Sequence, residues 1–390
     1  MQDENPKRAR VVDVVAAIDS IDAASWDACA GSADPFVSHA FLRALENSGS
    51  ATAETGWRPQ HLVVRGDGGQ IDAVAPLYVK AHSYGEYVFD WSWASAYERA
   101  GGRYYPKLQC CVPFTPVPGS RLLVRDTAHR SELRKVLVTA MHELGERHEL
   151  SSVHVSFLLP EEQACCEDLG FLARTGIQYH WHNRGYASFD EFLAALVSRK
   201  RKAIRRERRE AAASGLRLVT LTGDSILPSH WDAFDRFYRD TTSRKWAEPY
   251  LNKDFFCQLG ETMPERVVLM LAEQDGQWVA GALHMLGQEA LYGRYWGTLI
   301  DRPFLHFELC YYRAIEFAIE HGLDRVEAGA QGEHKISRGY LPQRTHSVHS
   351  LANLGFSEAV EAALERESCA LDRQEELLLA QSPYREDDGA

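Results

Sequence analysis

Residues 327–340, Glu327-Ala-Gly-Ala-Gln-Gly-Glu-His-Lys-Ile-Ser-Arg-Gly-Tyr340, gather carboxylates, an amide, an imidazole, an ammonium, a guanidinium and a phenol on one glycine-rich stretch. Turn chemistry alone needs fewer polar types than this. Glycines at a strand's end let the backbone approach a ligand. His334 is a candidate general base there, and Tyr340 a candidate proton donor to a leaving group. Glu327, Gln331, Glu333, Lys335 and Arg338 are the side chains expected to wrap a substrate. Glu333, His334, His346 and His349 lie within reach of one another in sequence, but they match no short zinc motif, so no metal is expected.

Two further stretches carry chemistry. In Tyr292-Gly-Arg-Tyr-Trp-Gly-Thr298 and the following His306-Phe-Glu308, Arg294 and Glu308 read either as a polar site walled by Tyr295 and Trp296 or as a structural ion pair. Glu308 is counted with His334 and Tyr340 as a catalytic candidate, Arg294 as substrate-binding. From Arg199 to Arg209, eight of eleven residues are Lys or Arg, with Glu207 the single acid. Like charges crowded on a helix cost stability, so Arg199, Lys200, Arg201, Lys202, Arg205, Arg206 and Arg209 are expected to bind phosphates of tRNA, CoA or a nucleotide-linked precursor. The plainer alternative is a solvated face balanced by acids such as Glu210 or those of the C-terminal helix.

The elements that must position these residues come twice. His61–Arg65, the turn Asp67-Gly-Gly69, Ile71–Val79 and Tyr87–Asp90 read as an antiparallel meander. So do Arg266–Ala272, the turn Asp275-Gly276, Trp278–Leu286 and Ala290–Tyr295. A helix (Glu132–Glu149; Pro303 through Ile319) and a short strand (Ser152–Phe157; Asp324–Ala328) follow each. Helices precede each meander: Trp26–Ser48, broken at Asp34-Pro35, and Leu227–Tyr238. The first copy carries an extra loop at about 95–120, and Phe356–Leu379 reads as a last helix before an acidic end. The expected class is α/β with mixed sheets in two tandem copies. The expected division is an N-terminal segment 1–24, a first domain 25–185, a second domain 186–365 with the basic helix and the glycine-rich loop, and a C-terminal helix and tail 366–390.

Length and composition agree. A chain of 390 residues with 45% hydrophobic and 25% charged side chains is globular and long enough for two cores. No apolar run nears the ~20 residues that cross a bilayer. The first ten residues are polar, so a cytoplasmic protein is expected. Eight cysteines without a C-x-x-C fit reduced, buried thiols. The net charge of −12 makes any polyanion partner dependent on the local basic run.

Helix pair, three antiparallel strands, helix and strand is the order of a GNAT acyltransferase domain. The chain resembles the FemAB-like branch of that superfamily, described as peptidoglycan biosynthesis or recognition proteins. The resemblance rests on Asp34-Pro-Phe-Val-Ser-His39, Tyr105-Pro-Lys-Leu-Gln109 with Val112-Pro-Phe-Thr-Pro116, Tyr295-Trp-Gly297, Phe307-Glu-Leu-Cys-Tyr-Tyr312, and Gly329-Ala-Gln-Gly-Glu-His-Lys335 with Arg338-Gly-Tyr340. The glycine loop that acetyl-CoA-dependent GNAT domains use for pyrophosphate is missing between Tyr292 and Phe307, which argues against ordinary acetyl-CoA use. The resemblance implies tandem GNAT-like domains and transfer of an aminoacyl group from aminoacyl-tRNA to an amine acceptor (a peptide, a cell-wall precursor or a natural product), with no tightly bound cofactor. The two rival expectations are an acyl-CoA-dependent N-acyltransferase and a non-catalytic protein that recognises a cell-wall peptide.

Overall fold

The computed structural model describes residues 10–66, 68–125, 128–244, 248–329 and 332–385. The turn residue Asp67 and the acidic end beyond Arg385 lie outside them.

Alternating apolar runs form strands, and two sheets result. Val12–Val15, His61–Arg65, Ile71–Ala75 and Leu123–Val124 make the smaller one. The larger has eleven strands among the described residues. From one edge they run Arg217–Thr222, Val267–Gln274, Gln277–Leu286, Ala290–Thr298, Arg325–Glu327, Leu172–His182, Leu341–Leu351, Ser152–Leu158, Lys107–Cys110, Leu77–Lys80 and Trp57–Pro59. The fold is the expected tandem of GNAT-like α/β units.

The two halves exchange strands. Leu172–His182 ends the first half yet pairs antiparallel with Arg325–Glu327 of the second. Leu341–Leu351 ends the second half yet pairs with Ser152–Leu158 of the first. These two long strands also pair with each other from Leu341↔His180 to His349↔Leu172, so one sheet crosses the molecule. Thr345 faces Gly176, where a Cβ would come within 2.9 Å of the threonine Oγ1. The aromatic core crosses as well. Phe36 stands edge-on to Tyr292 at 5.1 Å, and Phe41 to Phe255 at 5.7 Å.

The first meander departs from expectation at its third strand. Tyr87–Asp90 is not a strand; that place is taken by Lys107–Cys110, and the insertion before it holds the helix Trp91–Arg99. The reason is electrostatic. Lys107, fully buried, donates to Ser83 Oγ (2.9 Å), Glu86 Oε2 (2.7 Å) and Asp90 Oδ2 (2.5 Å), which folds the acidic segment back over it. A lysine with that many partners can be buried. The helix expected from Pro303 starts at Leu305, because Phe304 turns the chain at φ 62°, and it carries a π-turn at Glu308–Tyr312. The segment 189–213 is two helices, Phe189–Ala195 and Ser198–Ala212, and the last helix is Leu354–Leu379 with Asn353 capping it. Gly297 is required by packing: a Cβ there would sit 2.3 Å from the Phe237 carbonyl of the helix Pro228–Ser243. No described helix is long and apolar enough to cross a membrane.

Candidate functional site

The site is a fork in the larger sheet. Ala290–Thr298 pairs with the parallel strand Arg325–Glu327 only through Ala290↔Arg325, Leu291↔Val326 and Tyr292↔Glu327, and beyond that the two chains part. On its other side the same strand shifts register, with Leu283 facing Tyr295 and His284 facing Gly293. Arg294 is therefore the extra residue of a β-bulge, a device that re-aims a side chain. It aims at the first half: Arg294 Nη2 donates to the Phe114 carbonyl at 2.6 Å, and the Tyr295 hydroxyl donates to the same oxygen at 3.1 Å. The guanidinium lies over Phe36, 5.3 Å from the ring centre.

Glu327 stands where the strands part, 4% exposed. Its Oε1 accepts from Arg325 Nε at 2.9 Å, while Oε2 has no hydrogen-bond partner among the described residues. Burial pushes the Glu327 carboxyl up to about 7 against the opposing pull of Arg325. His180 Nε2 is 3.6 Å from that free oxygen, but burial lowers this imidazole to about 3, so at neutral pH the contact is no ion pair. Asp34, from the Asp-Pro-Phe motif of the first half, adds a second carboxylate that burial raises against the pull of Arg121. The Arg325–Tyr292 contact at 3.4 Å closes the group.

The glycine-rich loop divides its side chains between exposed positions and scaffold. Lys335 is 4% exposed and donates to the carbonyls of Ala328 (2.6 Å) and Gly329 (3.1 Å), tying the loop back to the fork. Its desolvation lowers the ammonium to about 8. His334 and Glu333 are exposed; His334 Nε2 lies 3.2 Å from the Tyr311 hydroxyl, and desolvation, then Arg338, hold its imidazole below the ordinary value. Arg338 is turned inward. Its Nη2 grips both oxygens of Glu207, at 3.0 and 2.9 Å, and its plane lies 3.5 Å from the Phe307 ring centre. Tyr340 is fully buried and donates to the Tyr311 carbonyl at 3.2 Å, and burial holds its phenol far above the ordinary value. A group so placed is core, not a proton donor to substrate. Gln331 lies outside the described residues.

Arg294 and Glu308 are not brought together. Glu308, on the π-turn, is buried against Arg208 of the basic helix, whose Nη2 donates to it at 3.0 Å and to Glu316 at 3.0 Å. This pair floors a groove of about 780 Å³ that also includes Arg205, Arg209, Arg313 and Phe189. On the outer face, Arg205 pairs with Asp190 and Arg206 with Glu210. Arg199, Lys200, Arg201, Lys202 and Arg209 have no carboxylate within 4.0 Å among the described residues. No described group of three or more His, Cys, Asp and Glu side chains is placed to hold a metal ion, and His349 is instead buried against His154.

Sequence reasoning missed Glu207, Arg208, His180 and His284. Glu207 had left one trace, as the lone acid in a cationic run. Asp34 was visible only as part of a motif.

A mixed sheet flanked by helices, with strands exchanged between the two halves, is the architecture of the GNAT-like class. The chain belongs to the FemAB-like family, described as peptidoglycan biosynthesis/recognition, whose family model matches residues 17–386. Solved structures agree on the fold. A structure of FemX is 14% identical over 87% of this chain and 98% of its own, with TM-score 0.56. L-PGS from Bacillus licheniformis is 10% identical over 85% and 97%, with TM-score 0.52. A conserved protein of unknown function from Bacteroides thetaiotaomicron is 12% identical over 88% and 100%, also with TM-score 0.52. A search of curated proteins found no match.

Proposed function

We propose that this protein transfers an aminoacyl group from aminoacyl-tRNA to an amine acceptor, a peptide or cell-wall precursor being the class that its family points to. The observation that carries this reading is the set of five cations on the helix Ser198–Ala212 with no carboxylate near them, on a helix bolted through Glu207 to the loop that closes the fork. Desolvated or crowded cations without partners are the footprint of a phosphate-rich ligand. The tRNA backbone lies along this face and the aminoacyl ester reaches the fork. There the acceptor nitrogen attacks the ester carbonyl, a C–N bond forms, and the C–O bond to the ribose breaks. Glu327, held near neutrality in its ionisation, takes a proton from the attacking amine, and the departing ribose oxygen receives one. Lys335 places positive charge beside the developing oxyanion, and the enzyme's main contribution is to position the two partners.

The test is single-turnover transfer of a labelled amino acid from charged tRNA to Nα-acetyl-lysine amide, with wild type and Glu327→Gln. The reading requires transfer by wild type and its loss in the variant. Turnover supported by acetyl-CoA, without tRNA binding, overturns it in favour of a CoA donor.

A further inference from the structure

A second groove of about 780 Å³ opens at the edge strand Trp57–Pro59, between the two halves. Trp57, His82, Tyr84 and Phe114 line it from the first half, and Tyr250 from the second. The exposed aromatic side chains among the described residues are Tyr84, Phe89, Trp91 and Tyr250, three of them on the segment 81–91 that flanks the groove. Tyr84 is 56% exposed and meets Trp91 edge-on at 4.7 Å. Tyr250 is 38% exposed and stacks on Phe114 at 5.1 Å. Ring faces left in water beside a cavity of ligand size offer a place to an apolar or a cationic group.

Charge decides between the two. The lining contains the carboxylates of Glu54 and Glu248 and no Lys or Arg. Neither carboxylate has a cationic partner within 4.0 Å among the described residues. Hydrogen bonds from the Thr52 hydroxyl and from its own backbone hold Glu54 below the ordinary carboxylate range, so it is charged at neutral pH. His82 adds no charge. Its Nδ1 accepts from the Tyr84 N–H at 3.2 Å, its Nε2–H donates to the Thr55 carbonyl at 2.9 Å, and burial, then Lys80, hold the imidazole down. Lys80 is fully buried against the Trp57 ring, 3.4 Å from its centre, with Glu86 at 4.0 Å. With Lys107, Glu86 and Asp90 it makes a charge-balanced group, so the groove keeps its negative sign.

We propose that this groove holds a remote primary ammonium of the acceptor, which therefore carries two nitrogens, one reacting at the fork and one seated on Tyr84, Tyr250, Glu54 and Glu248. The inference rests on the amine acceptor proposed above. Phe114 ties the two places together: its ring stacks on Tyr250, while its carbonyl accepts from Arg294 at 2.6 Å and from the Tyr295 hydroxyl at 3.1 Å. An alkylammonium offers three N–H donors to the carboxylates and its charge to the ring faces. The volume admits the chain that carries it.

The probes are lysine amide, norleucine amide (the same α-amine on a chain without the terminal ammonium), 1,5-diaminopentane and N-acetylglucosamine, titrated calorimetrically into the full chain. Lysine amide is expected to bind about tenfold tighter than norleucine amide, and the margin should shrink as salt is added. The margin should vanish in the double variant Glu54→Gln with Glu248→Gln and fall in Tyr84→Leu, thermal melts confirming both folds. It should persist in Glu327→Gln, which alters the fork and not the groove. Equal binding of the two amides, a margin unchanged in both groove variants, or N-acetylglucosamine binding tighter than lysine amide overturns the proposal. Lysine amide binding tighter than 1,5-diaminopentane assigns the ammonium to a peptide's lysine, and the reverse assigns it to a free polyamine; both support the groove. Failure of tRNA-dependent transfer with the margin intact removes the tRNA reading and leaves this one standing. Transfer to both amides with the same KM, together with equal binding, removes this one alone.

Discussion

Arg338 and Glu207 form a two-pronged pair, 3.0 and 2.9 Å, that joins the glycine-rich loop to the basic helix. Their side chains are 8% and 10% exposed, and the Tyr312 hydroxyl donates to the same carboxylate. Breaking such a pair strands a buried charge, at a cost of ~3–5 kcal/mol. Arg338→Ala and Glu207→Ala should each lower the unfolding free energy by that order, and the double variant should be little worse than the worse single one. Denaturant melts of the three variants check this double-mutant cycle. Additive losses would show the two residues acting independently.

The outer cations have a different signature. Arg199→Gln, Lys202→Gln and Arg209→Gln combined should leave stability within ~0.5 kcal/mol, since surface substitutions rarely do more. The same triple variant should weaken tRNA binding and reduce the slope of log K against log salt by about two to three, roughly one for each phosphate no longer neutralised. Arg206→Gln, whose partner Glu210 already discounts its charge, should change the slope less. A salt titration by filter binding separates these expectations from a merely solvated face.

The meander of the second half, its helix and its following strand were legible because apolar periodicity and Asp-Gly turns are local signals. The strand exchange was not. Leu172–His182 and Leu341–Leu351 find each other across more than 160 residues, and nothing in either segment names its partner. At the site, glycines and polar density located the loop, but sequence could not say which side chains point inward. Arg338 and Tyr340 carry the same polar groups as exposed residues, and only packing shows that they hold the scaffold. The third strand of the first meander failed for a related reason: the buried charge of Lys107, distant in sequence, reorganised Glu86 and Asp90 around itself.

Glu327 links activity and stability to pH with opposite signs. As the base, its ionised form is needed, so transfer should rise with pH through a midpoint near 7. Glu327→Gln should flatten that profile and cost ~10²-fold or more. For stability, the folded carboxyl is raised above its unfolded value, so its contribution is present at acid pH and is lost as pH rises through about 7. Glu327→Gln should therefore gain on wild type at pH 8 relative to pH 5 in paired thermal melts. A wild-type rate profile unaffected by the substitution would assign proton removal to another group.

His154 and His349 meet Nδ1 to Nδ1 at 2.6 Å on the paired strands Ser152–Leu158 and Leu341–Leu351, so their ionisation bears on the exchange itself. Two nitrogens at that distance share one proton. With His349 Nδ1–H donating to His154 Nδ1, His154 Nε2–H donates to Ser152 Oγ at 2.8 Å, and only the His349 Nε2 acceptor stays unpaired. Both rings are buried, which lowers His154 to about 3 and His349 well below its ordinary value. Asp90 pulls the other way for both, while Lys107 and Arg174 reinforce the burial. The unfolded chain therefore binds more protons than the folded one below ~6.5, and stability falls as pH drops through that value and toward about 3. His154→Ala, in a first half without a catalytic loop, should be destabilising by ~1–3 kcal/mol because it leaves His349 and Ser152 unpaired. His154→Phe with His349→Leu should remove both titrating rings and flatten the acid limb of the stability curve between pH 6.5 and 5. Chemical denaturation at pH 5, 6 and 7.5 measures it, and an acid limb unchanged in the double variant would place the sensitivity in other groups.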